Sequence, residues 1–273
     1  MKLTNNDLIL FKYLFENNFL TRDHIHNYIW DNLNNKYIYH RLLQLKEKGF
    51  IETVDDPIPY NNRKTLVLGK EKAIYYMDMY VEKLKKLKRN DNFEFRYIKP
   101  SLYTEQKDLD YRQIKHDYFL NELRFILEDY GANKWYSDTL IYRQKLFSKI
   151  PDGLFENEYF GKEKTFAIEL ERTLKQDYRY REIFKRYSQE KEIDYVIYVT
   201  IGEDTDVIYD SLKNKKFKSK FMEKEIDKDE VSEDFYNKFY LTKYKHLKNG
   251  ELDKVMNYAA KKKLDLFEAF KNW

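Results

Sequence analysis

Apolar residues recur at helical spacing three times within the first fifty residues of the chain. Thr21 is placed to cap the second of these predicted helices, and Gly49 is placed to end the third. Two short β-like runs follow, at residues 50–54 and 65–68, and a polar loop lies between them. Three helices followed by a β-hairpin predict a winged helix-turn-helix over residues 1–82.

The third helix of this unit would be the recognition helix, which lies in the major groove of DNA. Its polar positions carry the amide and cationic donors that phosphates and base edges accept. The alternative is a helical module that binds protein, on which the same side chains are merely solvated. The residues predicted to contact DNA are Asn35, Lys36, Tyr39, His40, Arg41 and Gln44 on the helix, and Arg63 and Lys64 on the wing.

A basic and then polar stretch, KLKKLKRNDN, begins at residue 83 and predicts a boundary between domains. We assign residues 83–105 to a linker, which is either solvated or in contact with DNA phosphates. Residues 106–210 form the predicted second domain. Residues 211–273 form a carboxyl-terminal extension, and its last amphipathic helix, over residues 252–270, can pack on the core or form a homodimer contact.

The second domain begins with an amphipathic helix over residues 111–129, and β-like runs follow it. A basic helix and a highly apolar strand complete the pattern. This order, αβββαβ, predicts a mixed-sheet core, so the expected fold class is α+β or α/β. The three runs cover residues 139–144, 153–159 and 165–171, the basic helix runs from Leu174 to about Ser188, and the apolar strand covers residues 194–201.

Three carboxylates gather around the second and third of these runs. Asp152 opens one run, while Glu169 and Glu171 alternate on the next, so both glutamates point to the same side of the sheet. A hairpin of the two runs would bring Asp152 within reach of the pair. Oxygen ligands of this kind favour hard ions such as Mg²⁺ or Mn²⁺, which serve phosphodiester cleavage.

A fourth carboxylate, Glu122, lies within the apolar stripe of the predicted helix. Either it joins a metal site with Asp152 and Glu169, directly or through water, or it flanks the stripe and reaches solvent. The sequence leaves both alternatives open.

The order of elements, together with Asp152 and the Glu169-Leu170-Glu171 run, resembles the restriction-endonuclease-like PD-(D/E)XK fold. The resemblance implies that Asp152 and Glu169 bind the metal. The third position of the motif is normally lysine, and this chain has Glu171 there, with Lys175 as the candidate replacement. Both active and inactive members of the fold depart from lysine at this position, so the catalytic set of Asp152, Glu169, Glu171 and Lys175 remains an expectation.

Roughly residues 1 to 200 also resemble the replication-relaxation family of plasmids and other mobile elements. The resemblance implies a winged helix joined to a nuclease-like domain, duplex DNA as the partner, and a role in plasmid replication, relaxation or mobilisation. A metal-dependent endonuclease or nickase and a protein-interaction module are the two alternatives. The matching features are LGKEKA after the wing, HDYFLNEL at residues 116–123, Trp135, Pro151-Asp152-Gly153, ELER at residues 169–172, Tyr180 and Tyr187.

Composition excludes several classes of protein. The chain has no Cys, so disulfides, thiol catalysis and Cys-ligated zinc are excluded. It has no Gly-rich phosphate loop, so we expect no nucleotide or organic cofactor. The first twenty residues contain several charged and amide side chains, which predicts neither a signal peptide nor a membrane span, and therefore a cytoplasmic protein without a membrane partner. A net charge of +4 is mild, so any DNA contact must come from local patches.

Overall fold

The chain divides into two compact units, Met1–Glu122 and Leu123–Trp273. The predicted linker and the wing residues Arg63 and Lys64 lie outside the described residues. Within the described residues, no helix combines the length and apolar composition that a membrane span requires. The structure, a computed structural model, describes residues 1–17, 19–55, 65–69, 72–73, 113–138, 141–142, 147, 149–159, 161–173, 175–202, 238–251 and 256–257.

Three helices open the first unit, and a side-chain cap fixes where each of them begins, with Oδ1 of Asn34 accepting from the backbone N–H of Tyr37 at the start of the third. The hydroxyl of Thr4 accepts a hydrogen bond from the backbone N–H of Asp7, and the hydroxyl of Thr21 accepts one from His24. Gly49, with φ of 72°, follows the third helix. The predicted cap at Thr21 and the predicted stop at Gly49 are therefore confirmed. The helices are α1 (Asn5–Glu16), α2 (Arg22–His24), which continues as a π-helical turn over Ile25–Ile29, and α3 (Asn35–Glu47).

A small antiparallel sheet completes the described part of the first unit. Its strands are β1 (Leu20–Thr21), β2 (Ile51–Asp55) and β3 (Thr65–Gly69), in the order β1-β3-β2. The pairing of β2 with β3 confirms the hairpin predicted after the third helix. The rings of Phe11 and Phe50 stack at 5.5 Å in the core between the helices and this sheet.

The division between the units falls inside helix α4 (Ile114–Asp129), whose first half belongs to the first unit. Ile114 packs against Phe19, and the side-chain amide of Asn121 donates a hydrogen bond to the backbone oxygen of Phe19 at 2.6 Å. The ring of Tyr118 stacks on His24 at 4.9 Å. These contacts attach the first half of α4 to α2 and β1.

The described part of the second unit is built on one mixed sheet. Five longer strands carry it, and a two-residue strand extends one edge. The strands β4 and β5 are antiparallel, as are β5 and β6, whereas β6, β7 and β8 run parallel. A mixed sheet with helices makes the fold α+β. The elements, in sheet order, are β4 (Asn133–Ser137), β5 (Gly153–Tyr159), β6 (Lys162–Glu171), β7 (Tyr195–Thr200), β8 (Phe239–Lys243) and β9 (Met256–Asn257), with the helices α5 (Asp177–Gln189) and α6 (Tyr244–Lys248).

Two predicted elements were wrong in position or type. The strand predicted at residues 139–144 is replaced by β4, because the turn at Gly131 starts the strand early and Ser137 then pairs with Gly153. Ile141 and Tyr142 are helical. The helix predicted over residues 252–270 is contradicted by β9, which pairs with β8, and the rest of that range lies outside the described residues.

The two faces of the large sheet are covered differently. One face carries a row of stacked rings across neighbouring strands, with centroid separations of 6.3, 4.9 and 5.1 Å along Trp135, Phe155, Phe166 and Tyr195. The other face is packed against Tyr180, Phe184 and Tyr187 of α5. Because side chains alternate along β6, Glu169 and Glu171 lie on the face beneath α5.

Replacement of Gly153 by alanine tests the close approach between β4 and β5. A methyl group at this position would lie 2.6 Å from Cη2 of Trp135 and closer still to Cζ2. We expect Gly153→Ala to lower the free energy of unfolding, measured by urea denaturation, by about 1–3 kcal/mol through overpacking.

The double variant Gly153→Ala/Trp135→Leu is the matched control, because it removes the ring that the methyl group meets. In the Trp135→Leu background, the Gly153→Ala substitution should lower the free energy of unfolding by much less than it does in the wild type. An alanine at 153 that changes the free energy of unfolding by less than about 0.5 kcal/mol would contradict this packing.

Candidate functional site

The hairpin of β5 and β6 brings Asp152 to the segment that carries Glu169 and Glu171. The backbone N–H of Asp152, just before the first paired residue Gly153, donates to the oxygen of Ile168 at 3.0 Å. Oδ2 of Asp152 accepts a hydrogen bond from the backbone N–H of Leu170 at 2.7 Å. Asp152 therefore contacts the backbone on both sides of Glu169, within the hairpin that the sequence predicted.

Glu169 is the most deeply enclosed of the predicted acids, with 4 % of its surface exposed. Nζ of Lys149 lies 2.6 Å from its Oε1 atom, and the hydroxyl of Tyr187 donates a hydrogen bond to the same oxygen. The Lys149 ammonium also lies over the Tyr187 ring, 5.7 Å from its centroid. One cation and one phenol, from a loop and from α5, thus hold the buried carboxylate.

The groups around Glu169 shift the pKa of its carboxyl group in opposite directions. Burial raises the pKa of the Glu169 carboxyl, and the neighbouring Asp152 carboxylate raises it further. Lys149 and the Tyr187 hydroxyl oppose both effects, and the resulting pKa is about 7. The carboxyl group therefore exchanges a proton near neutral pH, a property common among groups at functional sites.

Glu171 has its own pair of partners. The ammonium of Lys175 forms an ion pair with its Oε2 atom, so the structure brings two residues of the predicted catalytic set into contact. The backbone N–H of Lys175 donates to the hydroxyl of Tyr180 at 3.0 Å. Burial raises the pKa of Tyr180, and the Glu171 carboxylate adds to this effect.

Tyr198 of β7 lies on the same face of the sheet as Glu169. It is paired in register with Glu169 and is fully buried. Burial raises the pKa of its phenol, and the carboxylates of Glu169, Glu171 and Asp152 raise it further. Its oxygen has no hydrogen-bond partner among the described residues. A buried hydroxyl without a partner is costly, which makes it a candidate contact for a ligand.

A metal ion bound between Asp152 and Glu169 would have few protein ligands. Within the described residues, no group of three or more His, Asp and Glu side chains has the geometry of a metal cluster. Asp152 and Glu169 provide two carboxylates, and Mg²⁺ is often bound by one or two carboxylates together with water and substrate phosphate. Glu122, the other predicted ligand, is buried in α4 and belongs to the first unit, whereas Asp152 and Glu169 belong to the second.

Lys149 was missed by sequence reasoning. It stands three residues before Asp152 in a lysine-rich chain, and no period or motif distinguishes it from other lysines. Tyr187 was named only as a motif position of the predicted resemblance, and its contact with Glu169 depends on how α5 crosses the sheet. One feature of the sequence indicated Tyr198, because its hydroxyl is a polar group within a mostly apolar strand.

The second candidate surface is the solvent face of α3. Five of the predicted DNA contacts on this helix are exposed, and they are Asn35, Lys36, Tyr39, His40 and Gln44. Between residues 34 and 46 the chain has no acidic side chain. The Arg22 guanidinium from α2 lies over the Tyr39 ring at 5.3 Å and adds a further cation to this face.

Arg41 departs from the predicted set because its guanidinium turns toward the protein. Nε donates to Oδ1 of Asp7 at 2.9 Å, and Nη2 donates to the backbone oxygen of Lys2 at 3.0 Å. The hydrogen bond to Asp7 raises the pKa of Arg41. Arg41 joins α3 to the buried Asp7 of α1, and its Nη1 also donates to Oε1 of Gln44 at 3.0 Å.

Comparison with family models, with curated proteins and with solved structures gave no match. The resemblance to the replication-relaxation family therefore stays a prediction that rests on short motifs. The functions proposed for the acids at the end of β6 and for the solvent face of α3 therefore rest on the chemistry of these residues.

The raised pKa of Glu169 predicts a specific dependence of stability on pH. Because the folded-state pKa is about 7 and the ordinary value is 4.5, folding is favoured by the neutral carboxyl and disfavoured by its charge. The wild type should therefore lose stability relative to Glu169→Gln as the pH rises from about 4.5 to about 7, by on the order of 3 kcal/mol in total.

Urea denaturation of both proteins across this range measures the difference. The Glu163→Gln variant, which changes an exposed glutamate on the same strand, controls for the general effect of removing a carboxylate. A difference between wild type and Glu169→Gln that stays constant from pH 5 to pH 8 would contradict the assigned environment.

Proposed function

We propose that the first unit binds duplex DNA as a winged helix, with α3 as its recognition helix. One observation carries this proposal: α3 presents a solvent face of amide, imidazole and ammonium donors, and its one carboxylate, the exposed Glu47, lies at the last residue of the helix. In a chain with 47 acidic residues, such a face favours a polyanion. The order of three helices and a hairpin supports placement of this face in the major groove.

The biological setting that we propose is a plasmid or another mobile element. The motif resemblance supports this setting, and it implies a role in replication, relaxation or mobilisation. In this proposal the second unit is a nuclease-like platform for the DNA-binding unit. The acids at Asp152, Glu169 and Glu171 are the residues that connect this platform with the PD-(D/E)XK fold.

Fluorescence anisotropy with a labelled mixed-sequence duplex tests DNA binding by the whole chain. We expect binding at low salt, and an affinity that falls with salt with a logarithmic slope of about 0.9 for each phosphate contact. Lys36→Gln should weaken binding and reduce that slope by about one contact.

Lys12→Gln is the matched control, because it removes the same charge from α1, outside the recognition helix. It should leave both affinity and slope close to the wild-type values. Absence of binding at low salt would contradict the proposal and favour a protein-interaction module. Equal losses from the Lys12 and Lys36 variants would contradict the role of α3.

A metal-dependent deoxyribonuclease or nickase is the second candidate function. The placement of Asp152 beside the end of β6 that carries Glu169 and Glu171 favours it. The hydroxyl of Tyr198, paired in register with Glu169, has no hydrogen-bond partner among the described residues. Asp152 and Glu169 would hold a Mg²⁺ or Mn²⁺ ion. When bound, such an ion polarises a phosphodiester and lowers the pKa of a water molecule.

The side chains around these acids have definite tasks in this second candidate. Lys149 and Tyr187 orient the Glu169 carboxylate, as their contacts with its Oε1 atom indicate. The ammonium groups of Lys149 and Lys175 would stabilise negative charge on the phosphate. The PD-(D/E)XK motif usually has a lysine where this chain has Glu171. In this candidate function, Lys149 or Lys175 supplies that cation instead.

Incubation of supercoiled plasmid with the protein and Mn²⁺ tests the nuclease candidate. If the candidate is correct, the wild type converts supercoiled plasmid to nicked circles, and Asp152→Asn slows this by more than about 100-fold, because loss of a residue that only supports a metal ligand already costs roughly 10–100-fold. Calorimetric titration with Mn²⁺ should show heat for the wild type and much less for Asp152→Asn.

Asp194→Asn is the matched control. Its carboxylate pairs with Lys164 on the same sheet, outside the set of predicted ligands, so both nicking and heat should be retained. A wild type that neither nicks plasmid nor releases heat with Mn²⁺ would contradict the nuclease candidate and leave the DNA-binding proposal standing.

A further inference from the structure

Three large apolar or aromatic side chains of α3 are exposed, namely Tyr37, Tyr39 and Leu43, and the last two lie in line with Lys36. Tyr39 and Leu43 are 45 % and 37 % exposed. With Lys36, they follow the three- and four-residue spacing that places side chains along one stripe of a helix. A single exposed leucine needs no explanation. A leucine in line with a half-exposed tyrosine and a lysine, on the helix proposed to enter the groove, offers a small apolar contact.

Most of the side chains around this apolar contact are cations and amides. The Arg22 guanidinium lies over the Tyr39 ring, and the His40 ring meets that ring edge-on at 5.7 Å. Asn35 and Gln44 are exposed near the two ends of the stripe, and the one carboxylate of the helix, Glu47, lies one turn beyond Leu43 at its last residue. The cations and amides before that residue favour an occupant that combines negative charge with a small apolar group.

The major groove of DNA offers one apolar group, the C5-methyl of thymine. The other base edges present donors and acceptors, and a leucine packed against them would leave those groups without partners. The amides of Asn35 and Gln44 match the paired donor and acceptor of adenine in the same groove. Charge complementarity and these two side-chain types together select A·T base pairs.

We propose that Leu43 and Tyr39 read the C5-methyl groups of thymine, so that this protein prefers duplexes with A·T pairs at the centre of its site. The inference rests on the proposed DNA binding by α3. It adds a residue, Leu43, that the predicted DNA contacts do not include, and it assigns the apolar part of the recognition.

Deoxyuridine provides the test, because it differs from thymidine in DNA only by the missing C5-methyl group. A duplex is first enriched from a random pool with the full-length wild type, and is then synthesised in two forms, with thymine and with uracil. We expect the wild type to bind the uracil form more weakly, by about fourfold for each contacted methyl group, as for one buried CH₂ group.

The variants separate reading of the methyl group from phosphate binding. Leu43→Ala should bind the thymine duplex more weakly and should lose most of its discrimination between the two forms. Lys36→Gln should weaken both forms equally and keep the discrimination. Because Leu43 is partly exposed, its truncation should leave the circular dichroism spectrum unchanged and lower the unfolding midpoint only slightly.

Each outcome has a separate consequence. Equal affinity of the wild type for the two forms would overturn the inference while DNA binding stands. Discrimination by Leu43→Ala that equals that of the wild type would overturn the role of Leu43. Absence of binding to either form would overturn the proposed DNA binding itself, and would point to a protein as the occupant of the apolar stripe.

Discussion

The burial of Glu169 beneath helix α5 is the constraint on which the second unit depends. An isolated buried carboxylate is strongly unfavourable, so the protein must supply partners or keep the group neutral. Lys149 and Tyr187 meet Glu169 at one oxygen, while the nearby Asp152 adds negative charge. The register of β5, β6 and β7 thus buries the carboxyl group of Glu169. Lys149 from a loop and Tyr187 from α5 supply the hydrogen bonds that stabilise it.

The first unit solves a similar problem with a different residue pair. Asp7 is fully buried, caps the start of α1 and accepts hydrogen bonds from Arg41 of α3. This contact attaches α3 to α1. It also turns the Arg41 guanidinium toward Asp7 and away from the solvent face of α3. The solvent face of α3 is left to the amides, Lys36 and His40, together with the apolar pair Tyr39 and Leu43. A buried acid therefore contributes to the geometry of each proposed surface.

Local patterns predicted the parts of the fold that depend on neighbouring residues. Alternation along β6 was enough to place Glu169 and Glu171 on one face, and the cap at Thr21 and the stop at Gly49 followed from side-chain chemistry. Contacts between distant segments could not be predicted. Lys149 reaches Glu169 across 20 positions, and Arg41 reaches Asp7 across 34. The first strand of the large sheet was misplaced because its position is decided by pairing with Gly153, which a single-segment pattern does not contain.

A direct titration of the Glu169 carboxyl tests the central claim most sharply. Carbon-13 labelling of glutamate side chains, with the signal assigned by its loss in Glu169→Gln, allows its midpoint to be followed by NMR in the folded protein. The structure predicts a midpoint near pH 7, and a further rise in Lys149→Met, which lacks the opposing ammonium. A midpoint near the ordinary 4.5 would contradict burial of this group, and with it the electrostatic account of the site.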